Sequence, residues 1–146
     1  MYKHILICTD GSPLANKAGK AGVALAKALG ARVTAYSAID DLLPLYAEGY
    51  AFSQETVNNL EKAAHAVGQK RVDKITAMAK SAKVPYAGLV TMAAKADEGI
   101  IKAAKKGKCD AIFLASHGRR GFSKLIMGSV TQSVLAHTKI PVVVYR

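Results

Sequence analysis

The chain has 146 residues, 51% of them hydrophobic, enough for one folded unit that buries roughly two thirds of its unfolded surface without disulfide staples. Its longer apolar runs, at 84–90, 111–115 and 140–145, fall far short of the roughly 18 residues that span a bilayer, so no membrane association is expected. The net charge of +11 is uneven: residues 1–73 hold 8 Lys and Arg against 7 Asp and Glu, residues 74–146 hold 13 against 3, and the second half should attract anions.

The elements follow in chain order. His4 to Cys8 is a short apolar run of strand type, too brief for the core of a secretory signal and followed almost at once by Asp10. A helix follows with clear punctuation: Ser12 can cap it, Pro13 suits its first position and Gly30 can close it. Arg32 to Ile39 reads as a second strand. The connection from Asp40 to Ser53, with Pro44, Tyr46, Gly49, Tyr50 and Phe52, reads as a surface excursion, with a lid or a dimer contact as the sharper alternatives. A long helix is expected from about Gln54 to Ala82, with Val57, Leu60, Ala64, Val67, Ile75 and Met78 as a core stripe. Pro85 to Met92, Asp110 to Ala115 and Ile140 to Tyr145 supply three more strands, and helices are expected over about 97–106 and 128–137. Strands alternating with helices predict an α/β fold with a parallel sheet covered on both faces, in one domain over residues 1–146. Cys8 and Cys109 sit at the edges of apolar runs without CxxC spacing and read as buried, reduced thiols, which suits the cytoplasm.

The best chemistry lies in Ser116 to Met127, SHGRRGFSKLIM, between the fourth strand and the fourth helix. A strand that delivers its end into a glycine-bearing loop before a helix gathers free backbone N–H groups and the positive end of the helix around one point, which suits phosphate. Gly118 and Gly121 are expected to take conformations closed to other residues, Gly128 to let a ligand approach the helix start, and Ser129 and Thr131 to offer hydroxyls. Arg119, Arg120 and Lys124 add charge. The loop is neither a Walker A sequence nor a dinucleotide fingerprint, since it lacks Gly-Lys-Ser/Thr and GxGxxG. The plainer reading is a surface loop with solvated arginines.

Gly118, nine residues and Gly128-Ser129, with Ala115 where a first glycine belongs, resemble the nucleotide loop of the universal stress protein family. KHILICTDGSPLANKA, VTAYSAID, CDAIFLASHGRRGFSKLIMGSVTQSVL and HTKIPVVVYR extend that resemblance over the whole chain. It implies an open five-stranded parallel sheet in the order 3-2-1-4-5 and a homodimer through the Ile140 to Tyr145 edge. It also implies an ATP site with Thr9 and Asp10 on the nucleoside side and the backbone near Ala38 at the adenine edge. Ala115, Ser116, His117, Gly118, Arg119 and Arg120 would border ribose and phosphates, and Gly128, Ser129, Val130 and Thr131 would hold the phosphates. Magnesium or manganese would arrive with those phosphates, with Asp10 the nearest acid. The methyl group of Ala115 is expected to crowd the ligand, and proline at Val143 to remove an edge donor.

Other chemistries are weaker. Leu114 to Gly118 lacks the first glycine of a nucleophile elbow, and Ser116 beside His117 is expected to make loop hydrogen bonds rather than a nucleophile–base pair. His4, His65, His117 and His137 have no metal-ligand spacing. Lys102, Lys105, Lys106 and Lys108 read as a solvated face, without the interleaved aromatics of a nucleic-acid platform. The expected function is an ATP-binding stress-response module acting through nucleotide occupancy. The alternatives are slow ATP hydrolysis or phosphotransfer, with Asp10 or His117 orienting water and Arg119 or Arg120 steadying charge, and a nucleotide-free interaction protein of the same fold.

Overall fold

The computed structural model describes residues 1–41, 48–49, 51–119 and 127–146. Its elements are β1 (His4–Cys8), α1 (Pro13–Leu29), β2 (Arg32–Asp40), α2 (Gln54–Ser81), β3 (Tyr86–Ala93), α3 (Ala96–Lys106), β4 (Ala111–Ala115), α4 (Ser129–His137) and β5 (Val142–Tyr145). All strand pairs are parallel, in the order β3-β2-β1-β4-β5. Pro44, Tyr46 and Tyr50 of the long connection, and Arg120, Gly121 and Lys124 of the glycine-bearing loop, lie outside the described residues.

Local signals act as the sequence suggests at α1. Ser12 accepts the N–H of Ala15 at 3.1 Å, Pro13 opens the helix, and Gly30 closes it at φ 63°. Central strands β1 and β4 are buried along their whole length. Alternate residues feed two cores. Ile5, Ile7, Val33, Ala35, Ala111 and Phe113 meet α1 and α2, whereas Leu6, Cys8, Tyr36, Ile112 and Leu114 meet α3 and α4. Helices therefore cover both faces. Cys8 and Cys109 are free and buried, and burial raises both thiols, Cys109 to about 11, so both stay protonated at neutral pH. Among the described residues no helix is long and apolar enough to cross a membrane.

The expected stripe on α2 is half wrong. Its sheet-facing residues are Gly68, Val72, Ile75 and Ala79, while Leu60 and Val67 are 39% and 48% exposed. A helix of 28 residues is about 42 Å long and overhangs even β2, the longest strand at about 30 Å, so its first turns have no sheet to cover.

Candidate functional site

The order of the sheet makes β1 and β4 neighbours whose outgoing connections diverge, β1 towards α1 on one face and β4 towards α4 on the other. Such a divergence opens a crevice at the C-terminal strand ends. Thr9 follows β1 directly; it donates its N–H to the Tyr36 carbonyl at 2.9 Å and accepts the Gly11 N–H on Oγ1 at 3.1 Å. Two residues past Tyr36, Ala38 brings the end of β2 to the same rim, half-buried against the α3 side.

Asp10 ties the crevice together. Its Oδ1 accepts the Ser12 N–H at 2.9 Å and its Oδ2 accepts the Arg119 N–H at 2.8 Å, joining the β1 and β4 loops. Burial works to raise this carboxyl, but hydrogen bonds from Ser12 and Arg119 and the Arg119 charge overcome it and hold the group below the usual carboxylate range. A depressed folded value means that the ionised form stabilises the fold above the unfolded value near 4, and that this contribution is lost as pH falls through the folded value. Asp10→Asn is therefore expected to be less stable than the parent at neutral pH, with the gap closing below about pH 4; urea unfolding across pH checks it.

Gly118 serves this tie by close approach. A Cβ there would collide with Asp10 Oδ2, and its φ lies outside the left-handed region, so space rather than backbone conformation demands glycine. Ser116 donates its N–H to the Tyr145 carbonyl at 2.7 Å and accepts the Gly128 N–H at 2.7 Å. Ser116 Oγ lies 3.2 Å from His117 Nδ1, so the adjacent side chains do meet, in a loop hydrogen bond. A Cβ on Gly128 would stand 3.2 Å from His117 Cα and 3.3 Å from the Ser116 carbonyl oxygen. The two ends of the loop are thus closed backbone to backbone.

Gly128 leaves α4 without a side-chain cap, unlike Ser12 on α1 and Ser53 on α2. The first intrahelical bond of α4 is Gln132 N–H to the Gly128 carbonyl, so the amides of Ser129, Val130 and Thr131 have no partner among the described residues. Thr131 is buried and its hydroxyl donates to the Ala115 carbonyl at 2.9 Å, which leaves only its amide for a ligand. The Ala115 methyl group packs with the core on the α1 side, which argues against the expected crowding of a ligand. Ala115→Gly is accordingly expected to leave ATP affinity within about twofold and to cost roughly 0.4–1 kcal/mol of stability through added freedom of the unfolded chain, by calorimetry and urea unfolding.

One neighbour escaped the sequence reading. Arg71 of α2 extends over Gly11, where a Cβ would lie 3.0 Å from its Cγ. Burial and the nearby charge of Arg119 lower its value, while Asp10 and Asp40 act in the opposite direction. The signal was a cation standing in line between Val67 and Ile75 on the apolar stripe. Among the described residues no group of three His, Cys, Asp or Glu could hold a metal ion.

Fold and crevice together define an open α/β protein with a ligand crevice at the switch point of its sheet. The universal stress protein family model matches residues 1–146, and the chain belongs to that family. A universal stress protein of Methanocaldococcus jannaschii, MJ0531, is 32% identical over 148 residues, covering 100% of this chain and 83% of its own. The structure of hypothetical protein MJ0577 superposes with a TM-score of 0.77 at 27% identity, covering 99% of this chain and 95% of that one. A universal stress protein solved in complex with cAMP shares the fold with a TM-score of 0.68 at 18% identity, covering 99% and 97%. Others of this fold hold dAMP, from Archaeoglobus fulgidus (14% identity, TM-score 0.66, covering 99% and 98%), and AMP, from Arabidopsis thaliana (12%, 0.68, 97% and 90%).

Proposed function

We propose that the chain is an ATP-binding regulatory module of the stress response, in which occupancy of the crevice rather than turnover is the output. The observation that carries this reading is the uncapped start of α4, whose amides at Ser129, Val130 and Thr131 have no acceptor among the described residues. Three amides at a helix start, with the positive end of the helix behind them, suit phosphate. The cAMP, dAMP and AMP held by proteins of the same fold support an adenine nucleotide as the ligand, whose nucleoside would lie between Asp10 and the end of β2 at Ala38. A triphosphate fits the basic second half of the chain better than a monophosphate does. Each Asp10 oxygen already accepts one backbone N–H, so magnesium or manganese would be held chiefly by phosphate oxygens. Asp10 is engaged with two amides and His117 meets Ser116 through Nδ1, so the hydrolytic alternative would have to use His117 Nε2 as its base.

The deciding experiment is mass analysis of small molecules bound to the purified protein, followed by product analysis over hours with ATP. Adenine nucleotide retained by the protein, with ATP intact after hours, supports the reading; steady ADP formation favours the slow enzyme, and no retained adenine nucleotide favours the nucleotide-free interaction protein.

The reading includes a homodimer through β5. The Pro141 and Tyr145 carbonyls accept from Ile112 of β4 and from Ser116 just after it, so by alternation Val143 also faces β4 and the free edge groups belong to Val142 and Val144. Proline at Val143 would therefore cut the β4 ladder, not the edge. Light scattering is expected to give about twice the 15.4 kDa chain mass, and Val144→Pro to shift it to monomer. A parent monomer would refute the dimer.

A further inference from the structure

We propose that the groove between α3 and α4 is a docking surface for an acidic segment of a partner protein, one that carries apolar side chains between its carboxylates. α3 turns Gly99, Ile100, Ala103 and Ala104 into the core, which leaves Lys102, Lys105 and Lys106 along its outer face. Against them α4 sets Val130, Ser133 and His137, and a cavity of about 840 Å³ lies between the helices. The acids at one end of this groove are already engaged: Ser133 Oγ donates to Asp97 at 2.5 Å, and Glu98 pairs with Lys95 at 3.5 Å. Among the described residues no carboxylate comes within 4.0 Å of the three remaining lysines. Like charges spaced three and four residues apart on one helix face repel, and carboxylates from outside would relieve that repulsion.

Charge complementarity alone would admit any polyanion. Two features favour a peptide. Half-buried Ile101 and exposed Val130, the latter at 38%, give the groove an apolar surface that aliphatic side chains can cover, which a phosphodiester backbone cannot. Among the described groove residues nucleic acid would also find no Phe, Tyr or Trp ring to stack on.

The test is fluorescence anisotropy of the full chain with a short labelled peptide of Glu and Leu, an all-Glu peptide of equal length, and a single-stranded oligonucleotide of equal charge. The Glu/Leu peptide is expected to bind tightest. Lys102→Glu, Lys105→Glu and Lys106→Glu together should weaken it by more than about tenfold, as expected for the loss of several charge pairs. The same charge change on α2, at exposed Lys62, Lys70 and Lys74, should leave its affinity within about twofold, because those residues lie on the opposite side of the sheet. Absence of peptide binding, tighter binding of the oligonucleotide or of the all-Glu peptide, survival of binding in the α3 variant, or equal loss in the α2 variant would each overturn the proposal. Circular dichroism confirms that both variants are folded.

Discussion

Gly128→Val is expected to lose ATP affinity by at least about a hundredfold while the protein stays folded. Hydrogen bonds from amides to a charged phosphate contribute about 1.5–3 kcal/mol each, and misplacing two of them forfeits about 3–6 kcal/mol, where each 1.4 kcal/mol is tenfold in affinity. Valine misplaces them because its Cβ would press on His117 Cα at 3.2 Å and the Ser116 carbonyl at 3.3 Å, both backbone positions that carry the loop. The cost to folding is smaller. Gly128 has φ −61° and ψ 149°, open to any residue, so the penalty is the crowding alone, about 1–3 kcal/mol against a total stability of about 5–15 kcal/mol. Calorimetry with ATP on a variant shown to unfold cooperatively checks both halves; unchanged affinity would remove α4 from the proposed phosphate site.

Why that site was only partly legible in the sequence follows from the same residues. Glycines at 118 and 128 flagged the loop, but the unusual backbone conformation expected of Gly118 does not hold, and Gly128 was read only as room for a ligand; each makes room for another atom of the chain, Asp10 Oδ2 at one and the 116–117 backbone at the other. Such contacts join residues far apart in sequence, and no local pattern encodes them. Asp10 was legible as an acid after a strand, its tie to the Arg119 amide was not. Strand boundaries came within two residues, because short β-rich runs ended by Gly, Pro or polar residues leave little freedom. The order of the sheet came through resemblance alone. On α2 the apolar period picked Val67, whereas Gly68 touches Val90 and Ile39; a glycine carries no hydropathy signal, so the contact face was read one residue away from its true line.

Ile75→Ala is expected to cost about 2–5 kcal/mol, the range for emptying a fully buried aliphatic position, and a second change at Gly19 is expected to recover part of it. Ile75 is 0% exposed, and its Cδ1 occupies the space that a Cβ on Gly19 of α1 would need. Gly19→Ala alone brings two opposed effects. Replacing a helical glycine gains up to about 1 kcal/mol, whereas forcing a methyl group against Ile75 costs about 1–3 kcal/mol, so the net change is neutral to destabilising. With Ile75 already shortened the collision is gone and the new methyl group fills part of the vacated volume. The double variant should then be more stable than Ile75→Ala, with a coupling of about 1–3 kcal/mol measured by a urea-unfolding cycle. The consequence reaches the crevice, since Arg71 stands one turn before Ile75 on α2 and lies over Gly11 only while α2 keeps its seat on α1. Simple additivity of the two changes would show that α2 shifts freely on α1 and that the Gly19–Ile75 contact does not hold Arg71 in place.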